Sequence, residues 1–235
     1  MPEKVTESFI NDTFKLKTYD KNKMLLGIAY SDTSPIYVNF DDIKIAGICG
    51  SDKLGRFDYV KGMVKRLLSM KNTDSDMVYI IDESDGRLKA FADNSNVKMY
   101  INSDDKIRYV FEDILKEKND KKITLIIEME KAISIIEKTK DLFDAFLSIL
   151  NMYDNGDLLI YFTNAENSKP AQMADRKLPI MIRDGGSFII FEDISNINVL
   201  SLQTSVVRTY TGKSKYSDTY YIGGSSFTRM KTLID

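Results

Sequence analysis

Short apolar runs and amphipathic stretches alternate along this chain. The runs 24–30 (MLLGIAY) and 35–40 (PIYVNF) flank the turn-forming SDTS, which predicts two strands joined by a turn. Residues 43–48 (IKIAGI) form an apolar run, as expected of a central parallel strand. Leu54, Phe57, Val60, Val64, Leu67 and Leu68 then recur at spacings of three and four, the signature of one apolar helix face. The alternation repeats: strands at 77–82 and 97–102, a helix at 103–118, a very apolar strand at 123–129 and a helix at 141–153. Ser103 is a candidate N-cap with Asp104 and Asp105 in the first turn, and Asn155-Gly156 supplies a stop after the second helix. Further buried strands are expected at 158–163 and 187–193, and 218–234 reads as a hairpin about Gly223-Gly224. The pattern predicts an α/β fold: a mostly parallel sheet flanked by helices, with a C-terminal β-hairpin. Residues 1–23 are polar and read as a lead-in arm to a domain over 24–235.

Between the strand at 43–48 and its helix lies GICGSDKLGRF. The pattern G-x-x-x-x-G-K-[ST] in that setting makes a phosphate-binding loop. Its backbone N–H groups approach phosphate oxygens, its lysine neutralises them and its hydroxyl ligates Mg²⁺. Two registers fit in part. From Gly47 the loop has Lys53 as its lysine and Gly50 as an extra glycine, but Asp52 replaces the second glycine and Leu54 the Ser/Thr. From Gly50 both glycines are present, but Arg56 replaces the lysine and Phe57 the Ser/Thr. The first register is preferred, because Gly47 then closes the strand instead of weakening it from inside. Gly47, Gly50, Ser51, Lys53 and Leu54 are therefore the positions expected against a nucleotide. An ordinary strand–turn–helix is the competing reading.

A phosphate-loop site also needs an acidic residue at the end of another buried strand, to organise the metal. ITLIIEME places Glu128 there, Met129 where a catalytic glutamate is usual, and Glu130 one residue further. Glu128 and Glu130 are the catalytic candidates, against the alternative of a buried strand ending in solvated acids. Thr163-Asn164, after LIYF, is a third polar position for the terminal phosphate, or a plain loop start.

Composition narrows the chemistry. The chain has 235 residues, 43% hydrophobic and 29% charged, at a net charge of -2, so nothing global attracts it to nucleic acid or lipid. One cysteine, Cys49, excludes a disulfide within the chain. The absence of histidine removes His-based triads and His metal sites, leaving carboxylates, Lys, Arg or a bound ion. No apolar run approaches the roughly 20 residues that span a bilayer. Of the 11 methionines, Met129, Met152, Met173 and Met181 lie near element ends, where core filling competes with an adaptable binding surface. The Pro-bounded segment 167–179 is a candidate interaction loop, and the basic, aromatic 211–218 is too short a run to suggest nucleic acid.

Taken in order, GIAYSDTSPIYVNFDDIKIAGICGSDKLGR, IIDESDGRL, ITLIIEMEKAI, DLLIYFTNAEN and the closing DTYYIGG resemble an FtsK/SpoIIIE-type ATPase domain. Among these the chain is most similar to the last ATPase domain of the EssC/EccC family, the membrane-anchored motor of type VII secretion. The likeness runs from about Met24 to the C-terminus and rests on motif order, since each motif is degenerate. It implies a P-loop NTPase fold with a RecA-like core, ATP and Mg²⁺ as cofactors, and nucleotide positions at Gly47, Gly50, Lys53 and Glu128. The departures at Asp52, Leu54 and Met129 weigh against hydrolysis. The resemblance further implies WXG100-type or related secretion substrates, neighbouring ATPase domains of the same parent chain and a hexameric assembly as partners. It places the domain at the cytoplasmic face of the bacterial membrane. The expectation is a degenerate module for substrate recognition and assembly, with weak or absent hydrolysis. Its rivals are an active ATPase using Lys53, Glu128 and Glu130, and a DNA translocase. Arg176, Arg183 and Arg208 are positions at which a trans-acting arginine would be sought.

Overall fold

A computed structural model describes residues 4–14, 22–71, 74–117, 121–167, 169, 172, 175–185, 187–199, 202–223 and 226–234. Its strands are β1 (Lys23–Ala29), β2 (Pro35–Asn39), β3 (Ile45–Gly50), β4 (Asp76–Ile81), β5 (Val97–Ile101), β6 (Lys122–Ile127), β7 (Leu158–Phe162), β8 (Ser187–Phe191), β9 (Asp218–Gly223) and β10 (Ser226–Thr232). They form one sheet in the order β2-β1-β10-β9-β8-β3-β7-β6-β4-β5. The half from β8 to β5 is parallel, and β9, β10, β1 and β2 extend it antiparallel.

The helices are α1 (Glu7–Phe14), α2 (Arg56–Met70), α3 (Ile107–Lys116), α4 (Ala132–Lys138), α5 (Lys140–Met152), α6 (Lys177–Asp184) and α7 (Thr204–Tyr210). Strand alternation divides the core. Ile45 and Cys49 of β3 face a layer built on α3, α4, α5 and α6. Ala46 and Ile48, one residue out of phase, face α2 through Tyr59, Val60, Met63, Val64 and Leu67. Both faces are covered, which is why β3, β6 and β7 read as continuous apolar runs.

The strands expected from the sequence are all present, and β9 and β10 pair antiparallel as the hairpin, whose Gly224 lies outside the described residues. Three differences matter. The amphipathic stretch after β5 opens as a 3-10 turn (Asp104–Lys106), and the Ser103 hydroxyl bonds the Asp105 carboxylate instead of capping a backbone N–H. Of the polar arm ahead of β1, α1 packs its buried Ile10 with Val5, Leu25, Ile28 and Leu233, and Val5 bridges Leu233 in parallel. Finally, β3 does not stop at Gly47. It runs to Gly50, pairing Gly47 with Phe162 of β7 and Phe188 of β8, and α2 does not begin until Arg56.

Candidate functional site

That boundary corrects the loop register. The connection between β3 and α2 is 51–55, so the segment in phosphate-loop position is Gly50-Ser-Asp-Lys-Leu-Gly55 followed by Arg56-Phe57. Gly47 is a packing glycine: a Cβ there would lie 2.5 Å from the Phe188 ring and 2.8 Å from Ile182, on the sheet face opposite α2. Gly50 ends the strand at φ 106°, where a Cβ would meet the Phe191 carbonyl oxygen at 2.2 Å. Gly55, at φ 94°, turns the chain into α2. Glycine is required at both of these positions by the backbone, and both belong to the register the sequence reading set aside.

The loop itself is a tight 3-10 turn over Asp52–Leu54. Ser51 caps it, its hydroxyl accepting from Lys53 N at 3.2 Å. Ser51 N donates to Phe191 O (2.7 Å), Leu54 N to Ser51 O (3.0 Å) and Gly55 N to Asp52 O (3.0 Å). Four of the N–H groups that would cradle a phosphate are thus engaged within the protein. From outside, Ser217 N donates to Leu54 O (2.9 Å) and the Tyr216 hydroxyl to Asp58 (2.7 Å), fixing the loop against the lead-in to β9. Lys53 is exposed on the turn, and Leu54 packs into the α2-side core.

The charge at the helix start is Arg56, 2% exposed. Its Nη1 and Nη2 each lie 3.1 Å from one oxygen of the fully buried Glu128 carboxylate, which follows β6. Nη1 also donates to the Thr163 carbonyl, and Nη2 lies 2.8 Å from Asp52 Oδ1. Thr163 donates its hydroxyl to Glu128 Oε2 at 2.7 Å. A second guanidinium enters from the loop after β4. Arg87 Nη1 is 2.9 Å from Glu128 Oε1, Nη2 is 2.6 Å from Asp52 Oδ2, and the group lies 3.7 Å above the Phe57 ring. Phe57, standing where a magnesium-ligating Ser/Thr would be, is the floor for a cation carried by the chain itself.

The loop bearing Arg87 is rigidly held. Buried Asp82 accepts from Glu83 N (2.8 Å), Leu88 N (2.7 Å) and the Tyr100 hydroxyl (2.7 Å). Glu83 accepts from Glu130 N at 2.6 Å, tying this loop to the end of β6. Burial raises the Asp82 carboxyl above its ordinary range, against those three hydrogen bonds. Burial likewise pushes the Glu128 carboxyl up, opposed by the Arg56 bonds and charge, the Thr163 hydroxyl and the Arg87 charge. Burial works against the Arg87 charge, but the Asp52 bond and the charges of Glu128 and Asp52 raise its affinity for the proton overall.

Of the sequence-derived site residues, the structure brings Glu128 and Thr163 together. Glu130 is exposed, its backbone alone in the network, and Met129 is buried in the core. Arg176 is bonded to Glu137 (2.8 Å) and to Glu166, Arg183 to its neighbour Asp184 (2.6 Å), and Arg208 is exposed on α7. Among the described residues no cluster of acidic, cysteine or histidine side chains is suited to hold a metal ion. Arg56 was weighed at the lysine position of the register that was set aside, where Gly55-Arg56 stands one substitution from Gly-Lys, and Arg87 was missed. Lys53→Ala is expected to change unfolding free energy by less than about 0.5 kcal/mol, because the side chain is exposed; urea denaturation checks this.

No family model matches the chain, and no curated protein matches it in sequence. Solved structures do. ATPases 2 and 3 of Thermomonospora curvata EccC, in complex with a signal sequence peptide, match over 100% of this chain and 44% of theirs, at 10% identity and TM-score 0.73. ATPases 2 and 3 of EssC from Geobacillus thermodenitrificans match over 100% and 45%, at 12% identity and TM-score 0.72. The pCW3 conjugation coupling protein TcpA with ATPγS matches over 100% and 70%, at 10% identity and TM-score 0.66. The chain spans just under half the length of these two solved chains of EccC and EssC. No helix among the described residues is long and apolar enough to cross a membrane. The chain has the fold of the EccC and EssC ATPase domains, a mostly parallel α/β sheet flanked by helices.

Proposed function

We propose that this chain is an ATPase-fold module of a type VII secretion motor that works through protein contacts and turns over little or no ATP. The observation that carries the reading is the engaged phosphate loop: Ser51, Lys53, Leu54 and Gly55 direct their N–H groups to protein oxygens, and the helix-start cation is bonded to Glu128. A triphosphate would have to displace these bonds, and Phe57 offers magnesium no oxygen. The active-ATPase alternative needs a free lysine at the helix start with a hydroxyl beside it; Arg56 and Phe57 occupy those places. A DNA-translocating role has no support from a chain of net charge -2.

The fold likeness to EccC, whose structure holds a signal sequence peptide, supports a role in recognising secretion substrates of the WXG100 type. On this reading the domain acts at the cytoplasmic face of the membrane, beside other ATPase domains of a longer parent chain. The test is twofold. Steady-state phosphate release is expected at background for the wild type and unchanged in Lys53→Ala. A fluorescent C-terminal signal peptide is expected to bind with the same affinity with and without Mg·ATP. Turnover above background, or peptide binding that requires ATP, contradicts the proposal.

A further inference from the structure

The Asp52 carboxylate bridges two guanidiniums from different elements. Its Oδ1 is 2.8 Å from Arg56 Nη2, at the start of α2, and its Oδ2 is 2.6 Å from Arg87 Nη2, on the loop after β4. The cations belong to a fixed frame. Arg56 is 2% exposed and anchored by both oxygens of Glu128 and by the Thr163 carbonyl. Arg87 is anchored by Glu128 and the Phe57 ring, on a loop organised by Asp82. The anion between them is different: Asp52 sits on the turn with its side chain 46% exposed.

The charge balance depends on Asp52. The two guanidiniums are ion-paired to two carboxylates, Glu128 and Asp52, with the Asp85 charge acting on Arg87 from beyond ion-pair distance. Without Asp52 the two guanidiniums would share one directly paired carboxylate at the N-terminus of the 15-residue α2, where the helix dipole also favours an anion. Three N–H groups of Arg56 donate to Glu128 and Thr163 oxygens, Nη2 lies within ion-pair distance of Asp52, and Nε is buried with no partner among the described residues. A guanidinium pair spaced to take one oxygen each is suited to phosphate as well as to carboxylate.

We infer that Arg56 and Arg87 form an oxyanion clamp whose seat is held by the chain's own Asp52, which excludes a phosphate group by standing in its place. This rests on the closed-loop reading above and adds what closes it. Displacing Asp52 leaves the Glu128 anchor intact, because each guanidinium keeps its bonds to that carboxylate. The clamp then offers two N–H donors to a phosphate without the backbone cradle of a working phosphate loop.

The test uses the full chain and inorganic tripolyphosphate, without magnesium, in a calorimeter. Asp52→Asn removes the charge and keeps the shape, and Asp52→Ala removes both; thermal unfolding verifies that each is folded. Wild type is expected to show no saturable heat at millimolar ligand, and each variant to bind about tenfold or more tighter. Adding Arg87→Ala to Asp52→Asn is expected to abolish the gain. Folded variants that bind no better than wild type, or a gain that survives loss of Arg87, overturn the clamp. Failure of the functional proposal is read separately, from ATP turnover by the wild type.

Discussion

Replacing Arg56 by methionine is expected to lower the unfolding free energy by about 3–5 kcal/mol, the usual effect of removing one partner from a buried ion pair. Glu128 is fully buried, and Arg56 supplies a hydrogen bond to each of its oxygens. Without Arg56 the carboxylate keeps, among the described residues, Arg87 and the Thr163 hydroxyl, in a setting where burial already pushes its pKa up. The double variant Arg56→Met/Glu128→Leu is expected to recover most of the loss, because it removes the uncompensated charge as well, and Arg87 is 21% exposed and able to turn to solvent. Urea denaturation of wild type, the single variant and the double variant gives both values. A double variant no more stable than the single one would contradict this account of the network.

Gly47→Val is expected to destabilise by about 3 kcal/mol, at the upper end for overpacking a tight core. The reason lies on the face of the sheet away from the loop, where even a Cβ would press on the Phe188 ring at 2.5 Å and Ile182 at 2.8 Å. Phe188 on β8 and Ile182 on α6 are both buried in the same core layer, so neither has room to retreat. Thermal unfolding measures the effect. A stable Gly47→Val variant would mean that the close contact between β3 and the α6 layer is not as described.

These two residues mark what the sequence could and could not convey. Strand positions were readable as continuous apolar runs: 43–48, 77–82 and 123–129 are apolar because the sheet is covered on both faces. The helices α4, α6 and α7 were not, being 7, 8 and 7 residues long, too short for a periodic face to stand out. α6 begins inside the segment that reads as an interaction loop. The register failed for a specific reason. A glycine inside a strand is normally unfavourable, and that general rule placed the strand end at Gly47. Here a neighbouring aromatic, Phe188, fills the space that a side chain would take, and nothing local to 43–50 encodes that.

The site was legible in part for a related reason. Glu128 and Thr163 stand at strand ends, and topology alone brings strand ends together. Arg87 comes from a loop 41 residues before Glu128 in the chain, held in place by Asp82 hydrogen bonds that no spacing rule anticipates. Lys53 attracted the role of phosphate lysine because the sequence offers a lysine after glycines, whereas the cation that the fold delivers to the helix start is Arg56.

The loop over 51–55 is closed by its own hydrogen bonds and by the Arg56–Glu128 pair. Titration calorimetry of the wild-type chain with Mg·ATP tests that closure most directly. No saturable binding is expected up to millimolar nucleotide. Micromolar, magnesium-dependent binding that is lost in Lys53→Ala would contradict it.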